Sequence, residues 1–183
     1  LEQYQSGRYA EAEKLSLVVT NEFPTHQFGW KVIGAVLEQT GRNRESLAAN
    51  RKSVQIEPKD ADAHNNLGNT LRNLRMFDES EASYKQAIAL QPDFAEAHSN
   101  MGSTLKEQGR WDEAEASYRQ AIALKPDFNE ARSNLLFLTA SMRFDASRYL
   151  EETRGFAEMV AKRISSPFKN WSCSTNPKKL RVG

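Results

Sequence analysis

The sequence predicts an all-α solenoid, a row of antiparallel helix pairs, and three observations carry that reading. Pro24, Pro58, Pro92 and Pro126 stand 34 residues apart. Gly34, Gly68 and Gly102 keep the same step, as do Gly7, Gly41 and, two steps later, Gly109. Whole blocks return: Phe77-Asp78-Glu79-Ser80-Glu81-Ala82-Ser83-Tyr84 comes back as Trp111-Asp112-Glu113-Ala114-Glu115-Ala116-Ser117-Tyr118, and Ile88-Ala89-Leu90-Gln91-Pro92-Asp93-Phe94 as Ile122-Ala123-Leu124-Lys125-Pro126-Asp127-Phe128. A fixed period of this length marks stacked units, each burying apolar surface only against its neighbours.

The array occupies residues 1–141: a half unit at 1–26, full units at 27–60, 61–94 and 95–128, and a degenerate unit from 129. In the unit 61–94, Leu67, Leu71 and Leu74 fall at i, i+4 and i+7, an apolar stripe on a first helix. Gly68 sits inside that helix, where glycine costs about 1 kcal/mol relative to alanine. Its recurrence predicts a close approach of the partner helix. Asp78 and Glu81 form a capping-box pattern for a second helix, repeated by Asp112 and Glu115. Tyr84, Ala87 and Ile88 are its expected buried face. Pro92 ends it, because proline lacks the N–H and its ring blocks the preceding turn. Asp93 and Glu96, and again Asp127 and Glu130, are expected to cap the next first helix. The unit 27–60 departs from the pattern, with Asn50 in the tyrosine place and Ser46 and Ser53 in alanine places. It is expected to be the least tightly packed of the three.

From Ser133 the repeat loosens. Leu136 replaces the glycine, and Phe137 puts an aromatic ring on the polar side. Residues 142–164 read as a capping or adaptor helix, with Asp145 as its cap and Tyr149, Leu150, Phe156, Val160 and Ile164 along one face. An exposed repeat end needs such a cover. Residues 165–183 read as a linker and the start of a truncated following domain. Ser165-Ser166-Pro167-Phe168-Lys169-Asn170-Trp171 has no helical period, and Leu180-Arg181-Val182-Gly183 looks like the opening of a strand.

Composition narrows the function. Lys and Arg total 25 against 24 Asp and Glu, a net charge of +1. That balance gives no electrostatic reason to expect a nucleic acid or an acidic membrane surface as partner. A hydrophobic fraction of 39% and a mean hydropathy of −0.70 suit an elongated array. No apolar run approaches the roughly 20 residues of a membrane span. The single Cys173 has no partner for an internal disulfide and no metal-ligand spacing around it, which favours a reducing, cytoplasmic location. The sequence opens at Leu1 with no signal-like segment and reads as beginning mid-protein. There is no glycine-rich phosphate loop and no nucleophile–base constellation, so no catalytic residue is expected in this chain.

A 34-residue unit with Gly102, Ala114, Tyr118, Ala121 and Pro126 in this order resembles the tetratricopeptide repeat. The resemblance implies a right-handed superhelix whose first helices line a concave groove that binds proteins or peptides. On those helices the polar residues opposite the leucine stripe are Asn65, Asn69 and Arg72, then Ser99, Ser103 and Lys106. Beside them Asn66, Asn100 and Asn134 recur every 34 residues. Each amide offers an acceptor and two donors, so a ladder of them could hold a peptide backbone without reading its side chains. Tolerance of asparagine on a solvated face is the plainer alternative. His64 and His98 share the place of Trp30 and lack the further ligands a metal needs, so packing is their expected role. A carboxylate clamp of the kind some repeat proteins use for chaperone tails would need basic and amide groups where Ala35 and Glu96 stand, although Lys31 is present.

The order of segments also resembles the N-terminal half of bacterial relatives of the protein O-GlcNAc transferases, glycosyltransferase family 41. There the repeats end in Asn-Leu-Leu-Phe, as in Asn134-Leu135-Leu136-Phe137, before a helical adaptor and a Leu-Arg-Val-Gly strand. The resemblance implies a parent enzyme that uses a UDP-sugar donor on Ser or Thr hydroxyls, its catalytic residues beyond Gly183. This chain would then recruit the acceptor and hold neither cofactor nor metal itself. A free-standing adaptor with no linked enzyme is the alternative.

Overall fold

The structure, a computed structural model, describes residues 2–142 and 146–163. The expectations at Asp145 and over residues 164–183 lie outside them. Every regular element among the described residues is a helix: α1 (Glu2–Gln5), α2 (Tyr9–Glu22), α3 (Gln27–Gln39), α4 (Asn43–Ile56), α5 (Ala61–Asn73), α6 (Phe77–Leu90), α7 (Ala95–Glu107), α8 (Trp111–Leu124), α9 (Asn129–Met142) and α10 (Ala146–Arg163).

Consecutive helices pack in pairs, α3 on α4, α5 on α6 and α7 on α8, and the pairs stack through α4–α5, α6–α7 and α8–α9. The first helices also touch one another, α3 against α5, α5 against α7 and α7 against α9. Three-in-a-row contact of that kind places them on the inner side of the curve, so the fold is a helical solenoid with α3, α5, α7 and α9 lining its concave face. The last described helix, α10, packs against α9.

The recurring glycines fit side chains against the first helix. A Cβ on Gly68 would stand 2.6 Å from Tyr84 Cε1, and one on Gly102 would stand 2.9 Å from the Tyr118 ring. Both rings are 0% exposed, as are Ala87 and Ala121 one turn further on. The period therefore encodes a ring pressed onto a bare stretch of helix, a contact that outweighs the helix cost of glycine.

Around each ring the units are joined by a seam that changes along the array. Ser46 Oγ donates to Gly34 O at 2.9 Å and meets Thr70 Oγ1 at 3.0 Å. One unit on, Ser80 Oγ donates to Gly68 O at 2.8 Å and meets Thr104 Oγ1 at 3.3 Å. In the same register at the two ends, Ala12 lies with Val36 and Ala114 with Leu138 in apolar clusters. Buried hydroxyls thus pair across the central seams, whereas methyl groups pair at the ends. Each hydroxyl of these seams has a partner, as burial requires.

Two local expectations are corrected. The second helices begin earlier than the capping boxes imply: α6 starts at Phe77 after Met76, and α8 at Trp111 after Arg110, with no side-chain cap bond. The cause is a tight turn at positions 7, 41, 75 and 109, all left-handed, with φ of 75°, 76° and 77° at Gly7, Gly41 and Gly109 and 61° at Arg75. It returns the chain into a helix so quickly that Asp78 and Asp112 fall in the first turn, where their charge still suits the helix dipole. Asp93 lies two residues before α7 begins, and Phe94 holds the N-cap place with no side-chain cap bond. Asp60 takes that role for α5, its Oδ1 accepting from Ala63 N at 3.1 Å.

The unit 27–60 is not opened up by its polar residues. Ser46, Asn50 and Ser53 are all buried. Asn50 Nδ2 donates to Thr70 Oγ1 at 2.9 Å and to Ser46 Oγ at 3.2 Å, so the amide joins the hydroxyl seam. Its Oδ1 is left without a partner, as is Ser53 Oγ.

Candidate functional site: the concave groove

The groove is built from one face of α3, α5, α7 and α9, and its floor is set by how closely those helices approach. Asn65 is 8% exposed and accepts from Asn100 Nδ2 at 3.0 Å, an amide pair tying α5 to α7. Ser99 is 1% exposed and Ser103 is 8% exposed, with Ser103 Oγ donating to Ser99 O at 3.2 Å and accepting from Tyr118 OH at 3.1 Å. These two serines lie beneath the groove surface, where their small size lets the helices close. Like Asn65, they leave little side-chain surface open to a ligand.

The remaining expected residues stand higher. Asn69 is half-buried, its Oδ1 accepting from Tyr84 OH at 2.7 Å. That bond carries the buried ring to the groove edge, and burial pushes the Tyr84 hydroxyl well above the usual tyrosine range. Asn66 and Asn134 are half-buried and their amides make no hydrogen bond among the described residues. The same holds for Arg72, which has no ion pair at close range there and is felt electrostatically by Glu38 and Tyr118. Lys106 lies over the Phe137 ring, 5.5 Å from its centroid, and Phe137 is 63% exposed. A cation over a ring face is favourable and keeps both groups at the surface.

Sequence reasoning missed the row that runs beside these residues. Tyr4, Glu38, Arg72 and Lys106 are spaced by 34 and cross from an aromatic end to a basic one. Burial raises the Glu38 carboxyl above its ordinary range, against the pull of Arg72 and of Asn73, whose Nδ2 donates to Glu38 Oε1 at 3.2 Å. The period could have found this row, since every member keeps the step of the prolines.

The histidines take a structural role more specific than packing. Trp30 Nε1, His64 Nε2, His98 Nε2 and Arg132 Nε each donate to the carbonyl of the proline six residues earlier, at 2.9, 2.9, 3.2 and 3.0 Å. Each ties a first helix back to the turn that precedes it. Among the described residues no group of three His, Cys, Asp or Glu could hold a metal ion, and no helix is long and apolar enough to cross a membrane.

Lys31 is engaged by acids of the next unit. Its Nζ lies 2.8 Å from Asp60 Oδ2 and 3.4 Å from Asp62 Oδ2. Burial pulls the Asp60 carboxyl upward, but bonds from Lys31, Gln27 and Ala63 N outweigh it and hold the group below the usual range. The charge a carboxylate clamp would use is thus already balanced.

Residues 59–127 match the family model of the tetratricopeptide repeat. No curated protein sequence matches the chain. Among solved structures, PilW, a type IV pilus biogenesis factor, superposes with a TM-score of 0.79 at 21% identity, over 87% of this chain and 74% of that one. TTC0263, a thermophilic TPR protein of Thermus thermophilus, gives 0.73 at 24% identity, over 88% and 87%. The first TPR of Spaghetti (RPAP3), bound to the HSP90 peptide SRMEEVD, gives 0.60 at 21% identity, over 63% and 92%. The helix pairs of residues 59–127 are thus similar to tetratricopeptide repeats, and the described chain shares the helical-solenoid fold of these structures.

Proposed function

We propose that the concave groove binds extended peptide or protein segments, with Asn66, Asn100 and Asn134 holding the backbone of the bound chain and Asn69, Arg72 and Lys106 flanking it. The observation that carries this reading is the placement of Asn66 and Asn134 on the inner helices. Both amides are half-buried and without a hydrogen bond among the described residues. Polar groups held on a helical frame and left open are suited to a ligand that brings its own donors and acceptors. The RPAP3 domain supports the class of ligand, since it has the same fold and holds a peptide. The balanced charge of Lys31 supports a different mode of holding it here.

The groove would serve as the acceptor-recruiting region of a protein O-glycosyltransferase with a UDP-N-acetylglucosamine-type donor. This rests on Asn134-Leu135-Leu136-Phe137, followed by the helix α10 and by Leu180-Arg181-Val182-Gly183. In that arrangement α10 closes the array and leads into the catalytic domain. The alternative is a free-standing adaptor that joins protein partners. Radiolabelled UDP-N-acetylglucosamine with lysate proteins separates the two, comparing the native-length protein with a form lacking residues 1–128. The expected result is label incorporation that disappears with the repeats. Absence of label in both forms would favour the adaptor.

A further inference from the structure

At the end of the groove nearest α1, five side chains line a half-open cavity of about 250 Å³: Tyr4 of α1 and Phe28, Lys31, Val32 and Ala35 of α3. Four of the five walls are aromatic or aliphatic. Phe28 is 46% exposed, which leaves part of its ring open to a ligand. Its counterparts 34 residues apart in the following units are Asp62, Glu96 and Glu130, all acidic. Val32 likewise stands where the next three units carry Asn66, Asn100 and Asn134. The first full unit has therefore exchanged the acid and the ladder amide of its neighbours for apolar groups, and both line this cavity.

Size and charge limit what can enter. Drug-sized ligands occupy pockets of roughly 300–1,000 Å³, so this cavity suits a smaller object. Its one charged wall, Lys31, is paired with Asp60 and Asp62, which removes the attraction for an anionic group. Taking a charge into the cavity would cost its solvation with no opposite charge free to offset it. The cavity is also in register with the groove, since Val32 on α3 holds the place of Asn66 and Tyr4 that of Glu38, Arg72 and Lys106.

We infer that this cavity is a subsite for a single uncharged, bulky apolar side chain, Leu, Ile, Met, Phe or Trp, of an extended peptide bound in the groove. The inference rests on the groove reading above and adds what that reading lacks. A ladder of amides grips backbone at any register, whereas one apolar subsite at the end of the ladder fixes the register. Specificity then resides in one side chain and affinity along the backbone.

The test is a selection of random peptides of about a dozen residues against the full chain. It is followed by titration of the recovered peptides against Phe28→Ala, against Ala35→Leu, which fills the cavity from its floor, and against the triple change Asn66→Ala, Asn100→Ala and Asn134→Ala. Helicity by circular dichroism is read for each variant. The expected result is a set of peptides sharing one bulky apolar position. Replacing that position by alanine, or either cavity change, should weaken binding about tenfold or more, as the loss of one buried apolar side chain implies. Peptides that lose affinity in the triple variant but bind both cavity variants unchanged would overturn the subsite and leave the groove standing. A shared acidic position that depends on Lys31 would also overturn it. Failure to recover any peptide sensitive to either set would overturn the groove reading and the subsite together.

Discussion

The units 27–60 and 61–94 are built on the same frame and filled differently. Gly34, Ser46 and Thr70 make the bonds that Gly68, Ser80 and Thr104 make one unit on, at nearly the same distances. Against that common frame Asn50 stands in one unit and Tyr84 in the other, both fully buried. The frame thus follows from the bare glycine and the hydroxyl bridge, and the tyrosine fills a space the frame has already defined. A small amide fits there too, at the cost of an acceptor, Asn50 Oδ1, with no partner. An orphan of that kind costs about 1–3 kcal/mol. A polar residue at a core position in one repeat therefore changes how the core is satisfied and leaves the position buried.

The largest expected effect is on the filling. Tyr84→Ala should lower stability by about 3–5 kcal/mol, the usual loss for a large aromatic core side chain. Asn50→Ala should cost less than about 2 kcal/mol, because it also removes the orphaned acceptor. Urea unfolding of both variants reads the difference, and equal losses would break the comparison. Next comes the glycine itself. Gly68→Ala pushes a Cβ into a rigid ring, whereas Gly34→Ala meets the end of the Asn50 amide. The first should cost about 2–3 kcal/mol by overpacking and the second less, since an amide can turn aside.

Converting one filling into the other sharpens the point. Asn50→Tyr should raise stability by about 1–2 kcal/mol, through added apolar burial and loss of the orphan. A drop in the thermal midpoint would mean the two frames differ in ways their hydrogen bonds do not record. The smallest effect concerns the turn. Arg75 holds the left-handed place that glycine takes at positions 7, 41 and 109, and its guanidinium lies 5.4 Å from the Phe77 ring centroid. Arg75→Gly should raise stability by no more than about 1 kcal/mol, since relief of the strained φ is offset by the freer unfolded chain and the lost ring contact.

Much of this fold was legible in the period. The repeated glycine announced a close approach, and Tyr84, Ala87, Tyr118 and Ala121 are buried as the pattern implies. The capping boxes misled because Asp78 and Asp112 carry the right spacing, yet the left-handed turn starts each helix ahead of them. The hydroxyl seam was hidden because Ser46 meets Thr70 across 24 residues, a distance that belongs to the stacking of units and to no single helix. The groove was legible in position and less so in depth. Asn66 and Asn134 stand open, whereas Ser99 and Ser103 share the polar pattern and lie below the surface. Helical spacing gives the direction a residue faces, and only the approach of the next helix decides whether anything can reach it. The cavity walled by Tyr4 and Phe28 joins two helices of different units, so no local pattern could reveal it.

The central claim is that the amides of Asn66, Asn100 and Asn134 hold a peptide backbone in the groove. Calorimetric titration of a selected peptide into the full chain and into the triple alanine variant tests it directly. The account predicts unchanged helicity and an affinity weaker by about tenfold or more, as expected for several lost hydrogen bonds. An unchanged affinity in a variant that keeps its helicity would contradict it.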